Sequence, residues 1–127
     1  MRFELPLLLL GLSSAAQATW SLTYYSEADC KGTNLGHRDG KDNDKRIDCE
    51  NFKEDKVKSV KAEWTNSKNK LQVFSYECGD KPAGDHIITA FHKSGQCADV
   101  TANLGADGGF HSFNYYYSSV SLIYEIR

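Results

Sequence analysis

The chain has 127 residues, with 15 basic and 17 acidic side chains giving a formal net charge of −2, and the two signs are interspersed. That balance excludes a protein held to nucleic acid or to a membrane surface by bulk positive charge. A hydrophobic content of 40% supplies the core of one small domain and little more.

Taken in chain order, the first element is an export signal over residues 1–18. Arg2 supplies the positive charge, Leu5 to Leu12 the apolar stretch, and Ala16-Gln17-Ala18 the small residues of a cleavage site. Glu4 is the one residue off the pattern. The apolar stretch falls well short of the roughly 20 residues that cross a bilayer, so a removable signal is expected rather than an anchor. No other segment is apolar enough to span a membrane. The mature chain, 19–127, is expected to be a secreted, extracellular, monomeric single domain.

All four cysteines, Cys30, Cys49, Cys78 and Cys97, lie in that mature part. An even count in an oxidising compartment predicts two disulfides. A zinc site would show a close C-x-x-C pair, and none is present. Cys30 to Cys49 spans 19 residues and so does Cys78 to Cys97. Before the cysteines, Leu22-Thr23-Tyr24-Tyr25-Ser26 matches Leu71-Gln72-Val73-Phe74-Ser75. After them, Val57-Lys58-Ser59-Val60 matches Tyr117-Ser118-Ser119-Val120. The chain therefore reads as two copies of one unit, 19–66 and 70–127, the second longer by about a dozen residues around Gly105 to Gly109. Of the three possible connectivities, the repeat favours Cys30–Cys49 and Cys78–Cys97, each closed inside its own unit.

The repeated segments carry the two-residue period of strands. Val60, Ala62 and Trp64 alternate with Ser59, Lys61 and Glu63, and Val120, Leu122, Tyr124 and Ile126 alternate with more polar neighbours. Trp20 to Tyr24, Leu71 to Phe74 and Ile87 to Phe91 are further strands, rich in aromatic and β-branched residues. Asp39-Gly40, Gly79-Asp80 and Gly84-Asp85 mark turns. The charge-rich stretch His37 to Lys58 reads as a solvated face. No window of a dozen residues forms an amphipathic helix. The expected fold is all-β: a two-sheet β-sandwich whose repeats are related by a pseudo-twofold.

This pattern resembles the βγ-crystallin family, in which two Greek-key motifs pack into a β-sandwich. That family's folded hairpin has an aromatic residue, a second aromatic five positions on, and glycine seven positions on. Tyr25 and Gly32 fit, with Cys30 in place of the second aromatic. The glycine answers a backbone with positive φ. In the second copy Phe74 fits, but Cys78-Gly79 arrives early and shortens the hairpin. The resemblance implies calcium sites built from two acidic or amide residues, two variable positions, then Ser/Thr and Ser. Glu54-Asp55-Lys56-Val57-Lys58-Ser59 loses a liganding hydroxyl to Lys58. Asn114-Tyr115-Tyr116-Tyr117-Ser118-Ser119 loses its second position to Tyr115. These losses favour plain structural turns, with Asn114 and Ser118 the better pair for a weak calcium ion and no other cofactor expected.

Catalytic constellations find little support. A guanyl-preferring ribonuclease would need Glu, Arg and His converging, and no local motif joins Arg38, Arg46 or Arg127 to His92 or His111. G-x-S-x-G is absent. His37, His86, His92 and His111 are scattered as surface residues are. Tyr115-Tyr116-Tyr117 alternates faces if extended, so the three rings do not make one patch. The loop bearing Gly105, Asp107, Gly108, Gly109 and His111 is the expected interaction site, because it is what the second copy adds. The expected function is non-enzymatic binding of an extracellular protein or cell-surface ligand, in an effector, antimicrobial, toxin-like or inhibitory role. The alternatives are a calcium-stabilised structural protein and a small secreted hydrolase.

Overall fold

The computed structural model describes residues 18–80, 87–100 and 109–118. They form eight strands: β1 (Trp20–Glu27), β2 (Lys31–Gly40), β3 (Ile47–Asn51), β4 (Ser59–Trp64), β5 (Asn69–Phe74), β6 (Ile88–Ala90), β7 (Gln96–Asp99) and β8 (Ser112–Tyr117). The only helical turn among the described residues is the 3₁₀ segment Ala28–Cys30. No helix among them is long and apolar enough to cross a membrane.

The strands make two antiparallel sheets, ordered β2-β1-β4-β7 and β3-β8-β5-β6. The fold is an all-β sandwich, as the alternation predicts. Trp20, Leu22 and Tyr24 of β1 and Val60 and Ala62 of β4 face Leu71 and Val73 of β5 and Phe113 and Tyr115 of β8 across a dry interior. Trp20 stacks on Tyr115 with centroids 4.6 Å apart. At the open side between edge strands β2 and β3, Arg38 turns inward and grips Glu50 through two hydrogen bonds of 2.8 and 3.1 Å. Its guanidinium also lies 5.7 Å from the Trp20 ring centroid, so a charged pair closes that side where an apolar residue would otherwise stand.

Each sheet takes three strands from one half of the chain and one from the other. β3 of the first half pairs with β8, and β7 of the second half pairs with β4. This exchange corrects the disulfide assignment. The bonds are Cys30–Cys97 and Cys49–Cys78, not Cys30–Cys49 and Cys78–Cys97. Cys49 and Cys97 ride on the exchanged strands, and each meets the hairpin of the opposite half. Two residues further on, Asn51 accepts the Cys78 N–H at 2.8 Å and Asp99 accepts the Asp29 N–H at 2.6 Å, repeating the same docking on each side.

The repeat register also changes. β4 pairs Ser59 with Tyr25, and β8 pairs Ser112 with Phe74. The counterpart of Ser59 is thus Ser112 rather than Ser119. Both serines are fully buried, and each hydroxyl donates to a hairpin carbonyl, Glu27 O at 2.5 Å and Tyr76 O at 2.6 Å. Val57 and Phe110, two residues before them, bridge one another where the halves meet. With Ser112 as the anchor, the last connection has twelve residues, 100–111, against seven, 52–58, in the first half. The strand expected from Val120 to Ile126 lies outside the described residues, as does the turn Gly84-Asp85.

Candidate functional site

On the outer face of the second sheet, the residues that alternate with the core form a grid. β5 contributes Lys70 and Gln72, flanking buried Leu71. Lys70 pairs across to Tyr116 of β8, and Gln72 lies between Asn114 of β8 and Ala90 of β6. Ala90 is the smallest side chain of the group, and its shortness leaves a depression beside Gln72. The result is a cleft of about 330 Å³ whose walls include Trp64, Tyr116, His92 and Ser67, with Lys70 and Gln72 along its floor. Tyr116 is 39% exposed, while Tyr115 on the opposite face is fully buried. The three consecutive tyrosines thus divide between faces, as alternation requires. Tyr117 is half-buried and its hydroxyl accepts from Asn66 at 3.0 Å.

No Asp or Glu lines the cleft, and Lys70 forms no ion pair among the described residues. Asn114 Nδ2 donates to Gln72 Oε1 at 3.0 Å, which turns the other end of the Gln72 amide, two N–H donors, outward. Beyond Tyr116, Arg46 lies 5.7 Å from the ring centroid and pairs with Asp48 at 2.8 Å. Below the cleft the scaffold is stiff. Asn69 is buried, donates to Asp42 at 2.7 Å and accepts the Tyr115 hydroxyl at 2.7 Å. The Asn69 hydrogen bond, with a longer one from Asn66 at 3.3 Å, holds the Asp42 carboxyl below its ordinary pKa.

A second, smaller cavity of about 150 Å³ gathers Tyr24, His37, Arg38, Glu50 and Glu54. These are the residue types of an acid–base phosphodiester site, assembled around Arg38 and not around His92 or His111. The bidentate grip of Arg38 on Glu50 occupies both the would-be phosphate clamp and the would-be base. Burial, then the nearby Glu54 and Glu50 carboxylates, raise the Tyr24 phenol far above its usual range, so it stays protonated. The Arg38–Glu50 pair closes the sandwich on this side.

The other expected site residues separate. Asn114 sits inside β8 with its amide engaged by Gln72, while Ser118 lies just past the strand and its N–H donates to Lys68 O. Four residues of strand put them about 13 Å apart, more than one cation spans. No group of three or more acidic, His or Cys side chains among the described residues could hold a metal. Gly105, Asp107 and Gly108 of the expected interaction loop lie outside the described residues, as does His86. The loop's root is described: Gly109 packs against the Val57 backbone, Phe110 is buried in the core, and His111 is tied at both ends to Phe74 and Phe52. His37 is exposed, its Nε2 3.6 Å from Asp39.

No sequence motif marks Trp64, Lys70 or Gln72, and His92 enters the cleft apart from any catalytic pattern. The outward phase of Lys70 and Gln72 was readable from their alternation with Leu71 and Val73. Their convergence with Trp64 and His92 depends on strand order. No family model, no curated protein and no solved structure matches the chain.

Proposed function

We propose that the chain is a secreted, non-enzymatic binding module of βγ-crystallin type, acting outside the cell through the cleft on its second sheet. The observation that carries this reading is the cleft itself: an exposed aromatic ring, a half-buried indole and a lysine with no carboxylate in the lining. Two disulfides support the extracellular setting. The exchanged third strands and the left-handed Gly32 at the hairpin support the two-Greek-key reading. A small pre-formed cleft on a scaffold locked by four cysteines suits recognition without conformational change.

The test is retention of the labelled, oxidised protein on intact cell surfaces and extracellular matrix. Tyr116→Ala is expected to abolish retention while leaving the melting temperature within a few degrees, because the ring is exposed. Deletion of 105–109 is expected to leave retention intact. The opposite pattern moves the site to the loop.

A further inference from the structure

We propose that the cleft takes an acidic saccharide: a uronate-bearing chain laid across the strands, with a sugar ring against Tyr116 and Trp64 and its carboxylate on Lys70. This rests on reading the cleft as the binding site. The charge argument comes first. In a molecule of net charge −2, this face carries Lys70 and excludes every carboxylate from its lining. The ion pairs His37–Asp39, Arg38–Glu50 and Arg46–Asp48 all leave Lys70 out. An ammonium so placed is complementary to an anion supplied from outside.

The hydrogen-bonding argument points the same way. Gln72 presents its amide N–H groups because its oxygen is used by Asn114, and Lys70 has only donors. These donors suit a ligand that carries acceptors. Aromatic groups set the remaining requirement. Tyr116, 39% exposed, offers an apolar face with a polar rim, which suits the C–H face of a pyranose flanked by hydroxyls. The half-buried Trp64 walls the end of the cleft from the first sheet. A single-stranded nucleic acid offers the same combination of rings and anions. It would need a continuous basic groove, and here Arg46 is already neutralised by Asp48.

The probe is a galacturonate oligomer, titrated by calorimetry into the full oxidised protein at low salt and again at physiological salt. Its fully methyl-esterified form, a neutral gluco-oligosaccharide and an oligothymidylate of equal charge are run beside it. The acid form is expected to bind about tenfold more tightly than the ester, a ratio that shrinks with salt. Lys70→Gln is expected to erase that ratio, and Tyr116→Ala to weaken acid and ester alike, with melting temperatures unchanged. Equal binding of acid and ester, tighter binding of the oligothymidylate, or no heat with any saccharide overturns the proposal. If Tyr116-dependent retention on cell surfaces persists while every saccharide is silent, only the ligand class fails. If that retention is also absent, the cleft reading fails with it.

Discussion

At Gly32 the backbone is left-handed, with φ +83°, and an added Cβ would lie 2.7 Å from both Glu27 Cγ and Ser26 Oγ. Ser26 cannot swing aside freely, because its hydroxyl accepts the Thr33 N–H at 2.9 Å. Gly79 has the same φ, +83°, yet nothing lies within 4 Å of its Cβ position. The two glycines separate conformational cost from steric cost. Gly79→Ala is expected to lose about 1 kcal/mol from backbone strain alone. Gly32→Ala should lose at least about twice that, since a hydrogen-bonded turn must also shift. In thermal melts this difference is a gap of several degrees, at about 5 °C per kcal/mol for a domain near 100 residues. Equal shifts would show that the crowding at Gly32 relaxes without cost.

At the scale of elements, the disulfides follow the exchanged strands. Non-reduced tryptic mapping is expected to join the peptide bearing Cys49 to the one bearing Cys78, and that bearing Cys30 to that bearing Cys97. A Cys30–Cys49 peptide would break the topology. Replacing either pair with serines is expected to cost about 4 kcal/mol on the loop-closure model. The equal 19-residue spacings marked equivalent points in two halves, and that much was legible. They did not say whether the cysteines pair within a half or across, because a twofold exchange preserves every spacing. β1, β4 and β5 were readable because each has one face fully buried, which imposes a strict alternation on Trp20-Leu22-Tyr24, Val60-Ala62 and Leu71-Val73. β2, β3, β7 and β8 are not legible as strands in the sequence. The two edge strands at the β2–β3 side carry Arg38 and Glu50 inward, where the pattern calls for apolar residues, so a charged stretch concealed sheet. The cleft was half legible for the same reason: which residues face outward follows from period two, and which neighbours they acquire does not.

For the whole molecule, exchange means that neither half owns a complete sheet. Residues 19–66 alone would leave β3 without β8 and β4 without β7, with Phe110 missing from the shared core. Each half expressed separately is therefore expected to lack a cooperative melt by circular dichroism. The intact domain should unfold in a single two-state transition. Two halves melting independently would contradict the shared core. The crossed pairing bears as well on the order in which the protein is made. Synthesis runs from the N-terminus, so Cys30 and Cys49 emerge together well before either correct partner exists. The earliest bond open to the growing chain is thus a wrong one. Cys49 can close correctly once Cys78 has emerged, while Cys30 must wait for Cys97, so an early Cys30–Cys49 bond has to be undone by thiol–disulfide exchange before the mature pairs form.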